Sequence, residues 1–186
     1  NGSKALRELE KKMHEAACLE EFEKAAQTRD HLVILSDFAN NFKQANAELD
    51  SARDIDIVAF YQGEIEVDLS IYMMRNGVLL GHKNFSFSNL EILDEAEEVV
   101  NNFLFQYYSS TYDSLPLLIV TQMSDESNDL LEKAMGTLIE NVRVRPPQKQ
   151  YDSLLNLTRD HAFEQQRVRM LYEDSVYVGL NKLKDL

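Results

Sequence analysis

Asp54-Ile55-Asp56-Ile57-Val58-Ala59-Phe60 alternates polar with apolar side chains and then runs apolar, as a strand does when one face and then both are buried. Gln62-Gly63 follows as a turn. Glu66 to Met74 alternates again, with Val67, Leu69, Ile71 and Met73 on one face. Asn76-Gly77 tolerates the two positive φ angles of a tight hairpin and leads into a third strand from Val78 to Phe87. Residues 54–88 therefore read as a three-stranded antiparallel meander.

Downstream, helix and strand take turns. The spacing of Val99, Phe103 and Tyr107 predicts a helix over Leu93–Tyr108. Pro116–Thr121 is a short buried strand, Asp129–Ile139 a helix, and Val142–Val144 a strand stopped by Pro146-Pro147. A long helix is expected from Tyr151 to about Gln166, with more helix toward Leu186. The order βββ-α-β-α-β-α is that of the RNase H-like fold, a meander followed by parallel strands joined through crossover helices.

Upstream of Arg53 the pattern is helical. The first fifty residues lack Pro and have no glycine beyond Gly2. Leu6, Leu9, Met13 and Ala17 recur at three- and four-residue steps; Phe22, Ala25, Ala26, Arg29, Leu32 and Leu35 form a second stripe. Ala17-Cys18-Leu19-Glu20 between them is a short turn, which would place Glu20, Glu21 and Glu23 in the first turn of helix two. Two helices joined this tightly make an αα-hairpin, and helix two is expected to run on through Phe38 and Phe42 toward Leu49 as a stalk. The fold class is thus α+β or α/β. Residues 1–50 form hairpin and stalk, 53–150 the RNase H-like domain, and 151–186 C-terminal helices.

The net charge of −13 is unevenly spread. Residues 54–150 hold 6 basic against 16 acidic side chains, whereas residues 1–50 hold 7 against 10. A surface that grips duplex DNA neutralises phosphates with Lys and Arg, so the acidic middle is poorly suited to that task. No apolar run approaches the length of a membrane-spanning helix. The single cysteine, Cys18, precludes an internal disulfide and fits a reducing cytoplasm. Asn1-Gly2-Ser3-Lys4 has neither an initiator Met nor a following apolar core, so a fragment without a signal peptide is expected.

Two motifs carry a resemblance. Leu9-x3-Met13, then Leu19-x2-Phe22-Glu23-x-Ala25-Ala26-x2-Arg29-Asp30-x-Leu32, resembles the UVR motif. That motif is found in the repair proteins UvrB and UvrC, in some Clp-type ATPases and in activators of protein arginine kinases. Arg53-Asp54-Ile55-Asp56-Ile57 and Arg75-Asn76-Gly77-x-Leu79-x-Gly81 resemble the segment directly after the motif in the UvrC family. So do Phe103-Leu104-x-Gln106-Tyr107-Tyr108 and the helix from Tyr151. The resemblance implies nucleotide excision repair, with the hairpin docking on the C-terminal UVR hairpin of UvrB and damaged DNA reached only through that complex. Leu9, Met13, Leu19, Phe22, Glu23, Ala25, Ala26, Arg29, Asp30 and Leu32 are the implied contact residues. A lone hairpin buries little surface, so pairing two of them hides both stripes. Phe22 is the natural anchor, and Arg29 with Asp30 can set orientation.

Other chemistry is weaker. None of the signatures of the family's two nucleases or of its helix-hairpin-helix repeats occurs in this stretch, so it is expected to scaffold and to carry no catalytic site or cofactor. Asp54, Asp56 and Asp125 are the only carboxylates placed to suggest a residual metal-dependent RNase H-like site. A UVR-containing adaptor of protein quality control is the other rival, though it would need zinc-finger or ATPase sequence. His14, His31, His82 and His161 are scattered without paired ligand spacing, so no zinc site is expected. Tyr107, Tyr108 and Tyr112 are expected in aromatic packing rather than on nucleic-acid bases, and Gly63, Gly77 and Gly81 at turns.

Overall fold

The computed structural model describes residues 2–46, 54–64, 66–88, 96–110, 115–149 and 151–184. The meander forms as its alternation predicts: β1 is Ile55–Gln62, β2 Glu66–Arg75 and β3 Val78–Ser88. β1 pairs antiparallel with β2, and β2 with β3. Asn76 and Gly77 make the turn with φ of 53° and 72°. Gly81 is not at a turn. It lies inside β3 opposite Met73, beside a register shift at Met73/Met74, where a missing side chain is tolerated.

Helix α3 (Ala96–Ser110), strand β4 (Leu118–Thr121), helix α4 (Asp125–Met135) and strand β5 (Arg143–Arg145) follow. β4 lies parallel to β1 and β5 parallel to β4, giving the sheet order β3-β2-β1-β4-β5 of an RNase H-like fold. The start of the α3 region, 93–95, lies outside the described residues. α4 begins four residues earlier than the apolar spacing suggests, because Ser124 caps it by accepting the Ser127 N–H and Asp125 and Glu126 occupy its first turn. The last segment is one helix, α5 (Asp152–Lys184), rather than two. Among the described residues no helix is long and apolar enough to cross a membrane.

The sheet is covered on both faces. Val58, Phe60, Val67, Leu69 and Ile71 point to α3 and α4, joining Val100, Leu104, Leu131 and Met135. Ile55, Ile57, Ala59, Tyr72 and Met74 point the other way, to Tyr151, Leu154 and Leu155. This second face also receives the N-terminal helices, α1 (Gly2–Cys18) and α2 (Phe22–Asn46). Leu35 and Phe38 are buried in it, and Leu6, Leu9 and Ile34 pack at its edge. The expected stalk through Phe38 is therefore a lid on the sheet. Burying a Phe side chain is worth about 2–3 kcal/mol, which a free stalk would forgo. Residues 47–49 and the Phe42 side chain lie outside what is described.

The hairpin turn is tighter than the sequence suggests. α1 continues through Cys18, and Glu20 adopts φ 59° while Glu21 N–H donates to Ala16 O (2.9 Å) and Glu20 N–H to Ala17 O (3.1 Å). Those two bonds are a Schellman C-cap, which normally selects Gly at the left-handed position. Since α2 starts at Phe22, only Glu23 of the three glutamates falls in its first turn.

Candidate partner-binding groove

Beyond the part that covers the sheet, the hairpin ends in a face that nothing else among the described residues covers. Met13, His14, Ala17 and Cys18 of α1 and Phe22, Ala25, Ala26 and Arg29 of α2 line an apolar groove of about 500 Å³. Small residues form much of the lining, since Ala at 17, 25 and 26 leaves room for an approaching helix. Phe22 stands at 69% exposure, an aromatic ring left in water. Large exposed apolar groups clustered on one face mark contact sites. Arg29 is held by Asp30 at 2.8 Å, so both charges sit at the margin.

Eight of the ten residues of the motif divide among three places. Met13, Phe22, Ala25, Ala26 and Arg29 meet in this groove, and Asp30 borders it through Arg29. Leu19 projects at 70% exposure into a smaller groove on the other side, with Lys12, Glu15, Ala16, Glu21, Lys24 and Thr28. Leu9 packs against the sheet core instead, because it lies near the base of the hairpin where α1 meets the domain. Leu32 is half-buried and Glu23 exposed. His14, Ala17 and Cys18 were missed as lining residues; their i, i+3 and i, i+4 spacing with Met13 and each other on α1 is the signal that finds them.

Asp54 and Asp56 lie close together at the start of β1, while Asp125 stands apart from both. Asp56 is buried on the α3 face, where Arg75 Nη1 reaches its Oδ1 at 2.5 Å and Tyr108 Oη donates to Oδ2 at 2.8 Å. Burial pushes its carboxyl up, and the bonds from Arg75 and Tyr108 work against that shift. Asp54 accepts the Asn76 N–H at 2.7 Å and so pins the β2–β3 turn. Asp125 is exposed in the first turn of α4, beyond the C-terminal end of β4, whereas Asp56 pairs with Ile119 at the start of that strand. Among the described residues no group of three or more His, Cys, Asp or Glu is arranged to hold a metal ion.

Three further polar constellations emerge. Arg169 of α5 grips Asp68 at 2.8 and 2.7 Å and also Glu66, while Gln166 donates to Asp68 Oδ2 at 2.7 Å. Glu97 of α3 faces the α4 N-terminus, taking bonds from Ser127 Oγ (2.6 Å), Ser124 Oγ (2.7 Å) and Ser124 N–H (3.1 Å). Burial opposes its charge, but these donors prevail and hold its carboxyl below the usual range. His82 and His161 are not scattered: their rings lie 5.0 Å apart, and His161 Nδ1 is 2.9 Å from Tyr72 Oη. Tyr108 is buried and Tyr107 packs on Phe85 and Phe103, as aromatic core residues do; Tyr112 lies outside the described residues.

An RNase H-like domain bearing a helical hairpin with an open apolar groove is the class of protein these features define. The family model "UvrC Ribonuclease H-like domain" matches residues 54–168, and the "UvrB/uvrC motif" matches residues 3–32. Among curated relatives, the UvrABC system protein C of Alkaliphilus oremlandii (strain OhILAs) is 26% identical over 84% of this chain and 25% of its own length. That of Syntrophomonas wolfei is 28% identical over 84% of the chain and 26% of its own, and that of Pseudomonas entomophila 33% over 70% and 21%. This chain belongs to the UvrC family. It spans about a quarter of the length of the curated relatives it matches.

Proposed function

We propose that this chain serves nucleotide excision repair as the docking and spacing region of a UvrC-type subunit, working in the cytoplasm. Its hairpin pairs with the C-terminal UVR hairpin of UvrB, and the pairing brings incision activity, supplied by other domains, to a lesion that UvrB has marked. The observation that carries this reading is the exposed Phe22 ring over a groove lined by the motif's own residues. A second hairpin laid into that groove would bury both stripes in a four-helix arrangement. The uneven charge supports contact with DNA through the complex rather than through the acidic domain.

The rival reading, a residual metal-dependent nuclease, is disfavoured because Asp56 is already paired with Arg75 and Tyr108. The test is calorimetric titration of the chain with a peptide of UvrB's C-terminal hairpin. The variant Phe22→Ala with Arg29→Ala should lose binding while its circular dichroism spectrum stays unchanged. Binding that survives both substitutions would overturn the pairing.

A further inference from the structure

The groove is useful only if it points somewhere definite. Phe38 of α2 and Tyr72 of β2 stack with ring centroids 4.1 Å apart and an interplanar angle of 13°. Both side chains are fully buried, at 0% exposure, so the hairpin cannot swing on its base without opening the sheet's core. Tyr72 is in turn fixed from the other side. Its hydroxyl is bonded to His161 of α5, its ring lies 5.3 Å from that of His82 of β3, and burial pushes its own ionisation far up, so the hydroxyl keeps its proton. α2, β2, β3 and α5 thus converge on one aromatic node.

We infer that Phe38 and Tyr72 are positioning residues, which lock the groove-bearing hairpin at one orientation to the sheet and to α5, so that a docked partner is held at a set angle to the domain. The value of this device rests on the reading that the groove takes a partner, but the geometry itself does not. Flexible tethering, by contrast, would need α2 to leave the sheet, and Leu35, Phe38 and the edge residues Leu6 and Leu9 all oppose that.

The test is a spin–spin distance measurement on the full chain without any partner. Nitroxides would be attached at Gln27→Cys on the hairpin and Leu171→Cys on α5, both exposed positions, in a Cys18→Ser background. A single narrow distance is expected. Phe38→Ala in the same background should lose that single peak, and titration with the UvrB hairpin peptide should give the same affinity as the Cys18→Ser protein that keeps Phe38, because Phe38 is not part of the groove lining. A broad or multiple distribution in the otherwise unsubstituted protein overturns the inference, as does an unchanged narrow peak in Phe38→Ala. Should Phe38→Ala fail to fold, the unsubstituted protein's distribution decides alone. Failure of the peptide to bind any form would sink the repair reading while leaving the distance result standing.

Discussion

Arg75 and Asp56 face each other across the β1–β2 pair as a buried ion pair, with Nη1 2.5 Å from Oδ1 and side-chain exposures of 8% and 1%. A charge removed so completely from water is tolerable only while its partner remains. Asp56→Ala should therefore cost about 3–5 kcal/mol by removing the carboxylate that faces the buried guanidinium. Adding Arg75→Met should recover much of that loss, since an apolar replacement of both partners is often close to neutral. Urea midpoints for the four proteins would decide, and strictly additive losses would contradict the pairing.

Gly63 and Gln166 make a second testable couple. A Cβ at Gly63 would fall 2.1 Å from Gln166 Oε1, and Gln166 is the buried side chain that donates to Glu66 O and Asp68. Gly63→Ala should displace it and cost about 1–2 kcal/mol in lost hydrogen bonds. Because Gln166→Ala removes the same bonds, the double substitution should be little worse than either single one. Additive thermal shifts would mean that alanine at 63 acts through something else.

At the hairpin tip, Glu20 sits at φ 59°, where a Cβ is crowded. Glu20→Gly relieves that crowding and should stabilise the chain by about 1 kcal/mol. A rise in the unfolding midpoint, with the UvrB peptide bound as before, is the expected outcome.

Glu97 gives a prediction in pH. Its folded-state carboxyl is depressed by the donors at the α4 N-terminus, so its contribution is fully present above the ordinary carboxylate value and fades as pH falls through the folded one. Glu97→Gln should cost about 1 kcal/mol at neutral pH. The gap between the two proteins should narrow below about pH 4, where unfolded glutamate protonates. A gap that stays constant down to strong acid would remove Glu97 from this role.

Much of the fold was readable because its signals are local. Alternation through Ile55, Ile57, Val67 and Leu69 sets the faces, Asn76-Gly77 sets the turn, and the motif from Leu9 to Leu32 names the hairpin. What escaped depends on neighbours far away in the chain. Phe38 looks like one more helical apolar residue until Tyr72 meets it, and His82 and His161, 79 positions apart, show no spacing that would pair them. Asp56 resembles a metal carboxylate in sequence because nothing local announces Arg75 and Tyr108. The start of α4 was legible, in Ser124-Asp125-Glu126, but apolar spacing alone overlooks a polar cap.

β3 is one of the two outer strands of the described sheet, eleven residues long, and both hairpin helices touch it while covering Tyr72, Met74 and Leu79. The hairpin therefore covers the sheet as well as presenting the groove. A chain trimmed to begin at β1 would show water an apolar sheet face beside an open strand edge, the combination from which sheets stack into aggregates. The two roles cannot be inherited separately: the helices that present the groove are the same ones that cover the sheet.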